Sequence, residues 1–247
     1  MADPDLKGRV AVVTGASRGI GYATARILAK AGAHVIAVAR TVGGLEDLDD
    51  AIKSDGGSAT LVPLDLKDFA GIDRLGAVIF ERWGKLDIIV GNAGILGPLS
   101  PLGHVDPKAF DDVIAINLTA NWRLIRSLDP LLQASDAGRA IFVSSGAAHK
   151  TMAFWGPYSV SKAALQALAM TYAAENLRSN VRVMLVNPGP LRTGMRADAV
   201  PGEDPTTLRT PDDLAPHILK LALPTATEHG MIYDFPTGKT IKALAPG

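Results

Sequence analysis

The chain contains no cysteine. That excludes a disulfide framework, a thiolate nucleophile and a zinc–thiolate centre. It also lacks net charge, since 25 Lys and Arg balance 25 Asp and Glu. No electrostatic ground therefore exists for a nucleic-acid partner or an anionic membrane surface. No apolar stretch reaches membrane-spanning length. The opening Met1-Ala2-Asp3-Pro4-Asp5 has neither the basic nor the apolar region of a signal peptide. There is no internal repeat and no low-complexity linker. Apolar residues make up 47% and charged residues 20% of 247 positions, which suits a globular chain of one α/β domain or two small ones. The expectation is a cytoplasmic protein that handles a small molecule.

What the chain does have is Val12-Val13-Thr14-Gly15-Ala16-Ser17-Arg18-Gly19-Ile20-Gly21. The residues before it, Val10 to Val13, are β-branched or small, as a buried strand requires. After it the apolar residues fall at Ile20, Ala23, Ile27, Leu28 and Ala31, one face of a helix. Strand, glycine-rich turn and helix form the setting in which a glycine pattern carries meaning. Gly15 permits the tight turn, Gly19 lets a pyrophosphate approach bare backbone, and Gly21 lets the helix pack on the sheet. The helix N-terminus offers unpaired N–H groups to phosphate.

Strands and helices alternate along the rest of the chain. Strands are expected at Val10–Thr14, His34–Ala39, Ala59–Pro63, Ile88–Gly91, Ala140–Ser144, Arg182–Val186 and Met231–Tyr233. Helices are expected at Ile20–Ala31, Gly44–Ser54, Phe69–Trp83, Pro107–Gln133, Ser159–Leu177 and Pro211–Ala222. Such alternation predicts an α/β fold, a doubly wound, mostly parallel seven-stranded sheet with helices on both faces. The segment 188–211, rich in Pro, Gly and Thr, reads as a long functional loop over the substrate.

The second strand ends at Arg40, where an NAD-binding fold places an acid. Arg40 and Arg18 together suit a 2′-phosphate, which a guanidinium binds bidentately. Ser145 closes the fifth strand, Tyr158 follows 13 residues later, and Lys162 lies four beyond, so phenol and ammonium share a helix face. A free phenol titrates too high to act as a base at neutral pH, and a neighbouring cation favours its ionised form. Ser144 competes with Ser145, but strand alternation turns it to the other face.

The spacing Gly-x3-Gly-x-Gly, the segment Gly91-Asn92-Ala93-Gly94, Asn117 in an Ile-Asn context, the Ser145–Tyr158–Lys162 set and Pro188-Gly189-x3-Thr193 together resemble the classical short-chain dehydrogenases/reductases. The resemblance runs from Gly8 to about Thr193. Position 91 departs from it, because the family carries Asn-Asn-Ala-Gly. The ending Met231–Lys239 departs too, from a glycine-rich finish. The resemblance implies one NAD(P)-binding Rossmann domain over residues 1–247. It implies an NADP(H)-dependent oxidoreductase, NADP(H) preferred over NAD(H), that interconverts a carbonyl and a secondary alcohol. Tyr158 would then be the acid/base, Lys162 would lower its pKa and hold the nicotinamide ribose, and Ser145 would polarise the substrate oxygen. Asn117 would anchor a water that links Lys162 to solvent. Cofactor contacts would come from Gly15, Ser17, Arg18, Gly19, Ile20, Gly21, Arg40, Asp65, Leu66, Asn92, Ala93, Gly94, Tyr158, Lys162, Pro188, Gly189, Leu191 and Thr193. The alternative reading of Asp65 is a cap for the turn that follows. Ile95–Leu99, Ala147–Trp155 and Leu191–Thr210 would wall the substrate, although Phe154 and Trp155 could equally be packing residues. Helices around Asn117 and after Tyr158 would form a homodimer or homotetramer. Two other readings stay open. One is a non-catalytic NADP(H)-sensing binding module. The other, epimerase or dehydratase action, fits the glycine spacing less well.

Overall fold

The computed structural model describes residues 5–150 and 152–242. The opening Met1–Pro4, part of the signal-peptide reading, and Thr151 of the substrate wall lie outside the described residues. Val10–Thr14 forms β1, and all five residues are buried. Its side chains alternate between two cores: Ala11 and Val13 join one apolar cluster, Val10 and Val12 the other. A strand apolar on both faces is what a sheet covered by helices on both sides requires.

The chain continues through α1 (Gly19–Lys30), β2 (His34–Ala39), α2 (Val42–Ser54), β3 (Ser58–Pro63), α3 (Phe69–Trp83) and β4 (Ile88–Gly91). Then come α4 (Pro107–Ile114), a π turn over Ala115–Thr119, α5 (Ala120–Gln133), β5 (Arg139–Val143) and α6 (Gly156–Glu175). The last elements are β6 (Arg182–Asn187), α7 (Gly194–Ala199), α8 (Pro211–Ala222), β7 (Met231–Asp234) and β8 (Lys239–Lys242). The sheet order is β3-β2-β1-β4-β5-β6-β7-β8. All neighbours from β3 to β7 are parallel, and β8 returns antiparallel to β7. Chain order reverses between β1 and β4, and the crevice outside those strand ends is where such a sheet binds ligands. Among the described residues no helix is long and apolar enough to cross a membrane.

Four expectations differ from what is observed. The sheet has eight strands rather than seven, because Lys-Thr-Ile-Lys pairs as a short edge after a turn that closes at Gly238 (φ +68°). Its lysines suit an unpaired edge, and its polarity hid it in the sequence. The single helix expected over Pro107–Gln133 is interrupted by the π turn that contains Asn117. The segment 188–211 is not irregular throughout, since it contains α7 and a 3₁₀ turn at Pro205–Thr207. Finally α6 starts at Gly156, not Ser159, with Pro157 in its first turn, a position that tolerates a missing N–H. Tyr158 therefore stands on the first turn of that helix.

Candidate active site

Thr14 ends β1 and ties the glycine turn to β4. Its hydroxyl accepts the backbone N–H of Asn92 at 3.0 Å and of Ala93 at 3.1 Å, while Asn92 Nδ2 donates to the Thr14 carbonyl at 2.9 Å. Gly15 and Gly19 have φ of +67° and +59°, a region that glycine enters freely. Gly21 has a different task from the one expected. A Cβ there would overlap the Gly15 carbonyl and come within 2.5 Å of Asn92 Nδ2, so its bareness lets α1 pack on the turn rather than on the sheet. No side chain caps the N-terminus of α1. Its first N–H groups stay available to an anion.

One cleft of about 1070 Å³ runs across the strand ends and collects every candidate site residue except Gly21 and Asn117. Gly21 and Asn117 stand behind its wall. At one end lie Arg18 and Arg40, both exposed. Asp65 gives one carboxylate oxygen to the Lys67 N–H at 2.9 Å, so the turn-capping role is real, and the residue lines the cleft as well. Gly189 (φ +64°) faces Pro236, and a Cβ there would strike that ring. Across the cleft the Thr193 methyl lies 3.6 Å from where a Gly19 Cβ would be. Thr193 also caps α7, accepting the Arg196 N–H at 3.2 Å. Bare glycine backbone, an uncapped helix end and two cations in one long cleft fit the pyrophosphate and 2′-phosphate of NADP(H).

At the other end Tyr158 is 8% exposed and Lys162 3% exposed. Lys162 Nζ lies 5.7 Å from the phenol ring centre and donates to the Val143 carbonyl at 2.8 Å. Burial pushes the ammonium down to about 8. The phenol moves upward, the reverse of the expected lowering, because burial disfavours the phenolate and the Ser145 hydrogen bond only partly opposes it. Ser145 Oγ accepts the Ala147 N–H at 3.2 Å. β5 ends at Val143, one residue before the expected Ser144, so both serines lie just beyond the strand; the Ser144 hydroxyl accepts Gln166 Nε2 at 2.8 Å, which commits it to α6.

Asn117 is fully buried and its side chain is committed to protein. Oδ1 accepts the Ile95 N–H at 2.8 Å, and Nδ2 donates to the Ile95 carbonyl and to Ser161 Oγ, each at 2.9 Å. The amide thus braces the cleft wall against the residue before Lys162.

All three expected substrate walls contribute to the cleft lining, among them Ile95, Leu96, Ala147, Met152, Trp155 and Met195. The Trp155 ring meets Tyr158 edge-on at 6.0 Å. Phe154 is instead 56% exposed, at φ +73°, and is neither core nor lining. Sequence reasoning missed Asp234 and Asn187, which join across the cleft floor through Nδ2 and Oδ1 at 2.6 Å. The signal available was an acid at the end of a strand aligned with Asn187.

Known proteins resemble this chain in sequence and in fold. The short chain dehydrogenase family model matches residues 9–204. The oxidoreductase YciK of Escherichia coli is 34% identical over 238 residues, covering 95% of this chain and 94% of its own. An NAD-dependent oxidoreductase of Mycobacterium tuberculosis, Rv0687, is 36% identical over 204 residues, 77% of this chain and 74% of its own. A short chain dehydrogenase of Shigella flexneri, solved in complex with NADP, superposes with a TM-score of 0.90 at 36% identity, covering 94% of this chain and 98% of that one.

Proposed function

Because the chain belongs to the short chain dehydrogenase family and is an NAD(P)-dependent oxidoreductase, we propose that it interconverts a carbonyl and a secondary alcohol, with Tyr158 as acid/base and NADP(H) preferred over NAD(H). The observation that carries the reading is one cleft with Ser145, Tyr158 and Lys162 at one end and Arg18 and Arg40 at the other.

When bound, the dinucleotide supplies or removes the hydride. The protein's part is binding, orientation and the proton. The glycine turn and the α1 N-terminus hold the pyrophosphate, and Asn92, Ala93, Gly94, Pro188, Gly189, Leu191 and Thr193 fix the path along the strand ends. Asp65 and Leu66 wall the adenine end. Arg18 and Arg40 meet the 2′-phosphate. Charge-assisted contacts of this kind contribute roughly 1.5–3 kcal/mol each, so a preference of about tenfold or more follows.

Ser145 Oγ donates to the substrate oxygen and polarises it. Tyr158, a phenol that burial shifts further toward its neutral form, gives its proton to that oxygen as the alkoxide forms. In the reverse direction it takes the proton back. Below about pH 8 Lys162 is a cation that favours the phenolate and so eases the transfer of the proton to the alkoxide, and it would hold the nicotinamide ribose. The segment 188–211 covers the substrate, as part of one Rossmann domain. Paired copies through α5 and α6 complete the proposal.

The test is a panel of aliphatic, aromatic and alicyclic ketones with NADPH and with NADH, followed by loss of the reduced cofactor's absorbance. Reduction of at least one ketone, faster or at lower cofactor concentration with NADPH, is expected. Tight NADPH binding without turnover on any carbonyl would favour the sensing module instead. Equal or tighter use of NADH would overturn the preference.

A further inference from the structure

Position 91 is where this chain departs from the family's Asn-Asn-Ala-Gly. A Cβ at Gly91 would overlap Asn121 Oδ1 and sit 2.6 Å from the Phe142 ring. An amide therefore does occupy this place beside the strand end, but it enters from α5. Asn121 is 3% exposed. Its Nδ2 donates to the Asn117 carbonyl at 2.9 Å. That carbonyl belongs to the π turn, where the ordinary helical ladder is interrupted. Its Oδ1 is buried and meets no protein donor. An unpartnered buried amide oxygen destabilises a fold, so stability alone would favour an apolar residue of the same shape. The donor end of this amide is the part with a partner, and that partner is the Asn117 backbone.

From Asn117 the connection reaches both sides of the reacting group. Its side chain holds both backbone groups of Ile95 on the cleft wall and the hydroxyl of Ser161. Ser161 in turn donates to the Tyr158 carbonyl at 2.7 Å. A Cβ on Gly94 would lie 3.2 Å from Asn117 Oδ1 and 3.6 Å from Lys162 Nζ, which puts this brace beside the ammonium.

We infer that Asn121 is a positioning residue of this active site: through its Nδ2 contact it pins the π turn so that Asn117 holds Ile95 and Ser161, and with them Tyr158 and Lys162, in register. The inference rests on the reaction proposed above. Asn121 touches neither cofactor nor substrate and acts only through Asn117.

Asn121→Leu keeps the size and removes both the donor and the unpartnered oxygen. The expected result is an apparent melting temperature close to wild type and an NADPH Kd within about twofold, with kcat for carbonyl reduction lowered about tenfold by misplacement of the reacting groups. Asn121→Asp supplies a chemical signature. Burial favours its protonated form, which can still donate to the Asn117 carbonyl. Its kcat relative to wild type should therefore fall as pH rises. A normal kcat in Asn121→Leu overturns the inference, and so does a joint loss of kcat, NADPH binding and melting temperature, which is what a purely structural role would give. If the Leu variant does not fold, the Asp variant decides, and a ratio independent of pH overturns the inference.

Failure of the wild type to reduce any carbonyl would count against the proposed function alone. The inference then stands or falls on the ultraviolet titration of the Tyr158 phenol, isolated by subtracting Tyr158→Phe. Its midpoint should fall by at least about half a unit in Asn121→Leu, as solvent reaches a phenol that burial had raised. An unchanged midpoint overturns it.

Discussion

Replacing Lys162 by Met should stabilise the cofactor-free protein at neutral pH while it destroys turnover. Lys162 is 3% exposed, and burial lowers its pKa from 10.5 to about 8. A difference of that size between folded and unfolded chains corresponds to roughly 3 kcal/mol. The sign follows from proton binding. Between about pH 8 and 10.5 the unfolded chain holds a proton on this lysine that the folded chain has lost, so the stability of the wild type rises with pH across that window. Below it the burial penalty is present in full. Met fits the same volume without charge but leaves the Val143 carbonyl without its 2.8 Å donor, a loss of about 1 kcal/mol. Lys162→Met should thus be more stable than wild type by about 2 kcal/mol at pH 7 and less stable by about 1 kcal/mol above pH 10.5. Urea unfolding of both proteins without NADPH, at several pH values, measures the difference, and other titrating groups cancel in it. A variant less stable than wild type at pH 7, or a difference that does not change with pH, would refute the reasoning. The same variant should bind NADPH more weakly, since the proposed function gives Lys162 the nicotinamide ribose to hold.

Gly21→Ala forces a methyl onto the Gly15 carbonyl and Asn92 Nδ2. Overpacking of that order costs about 1–3 kcal/mol, and distortion of the turn by that amount would raise the NADPH Kd about fivefold to a hundredfold in a fluorescence titration; unchanged affinity would mean that the turn does not hold the cofactor. Arg139, 4% exposed, donates to the carbonyls of Leu223, Pro224 and Ala226 beyond α8, at the sheet end away from the cleft. Arg139→Met should lower unfolding free energy by about 2–4 kcal/mol and leave kcat/KM unchanged; a selective loss of activity would contradict that separation.

The parts of this molecule that were legible in the sequence are those fixed by local chemistry. Val10–Thr14 is β-branched or small throughout, and Phe69–Trp83 keeps helical periodicity, so both were bounded correctly. Ser145 was preferred to Ser144 by its spacing of 13 residues before Tyr158, while the strand expected to contain Ser144 ends at Val143. The candidate site residues were named by resemblance to the family's motifs, and all but two of them line one cleft. What was hidden depends on distant partners. The π turn at Asn117 sits where its amide bonds Ile95 and Ser161, which lie 22 and 44 residues away and leave no local pattern. Gly91 is dictated by Asn121 and Phe142, and no local pattern records that. β8 is polar and short, so it is a strand only because β7 lies beside it. The direction of the Tyr158 shift depends on how deeply the phenol is buried, which composition does not reveal.

The central claim is that Tyr158 moves the proton. Tyr158→Phe removes one hydroxyl from a residue 8% exposed and leaves the glycine turn, Arg18, Arg40 and Lys162 in place. The decisive measurement is kcat for carbonyl reduction alongside the NADPH Kd in this one variant. Turnover should fall at least ~10²-fold, the scale of a positioned general acid/base, with the Kd unchanged. A Phe variant that binds NADPH normally and turns over at a near-normal rate would contradict the account.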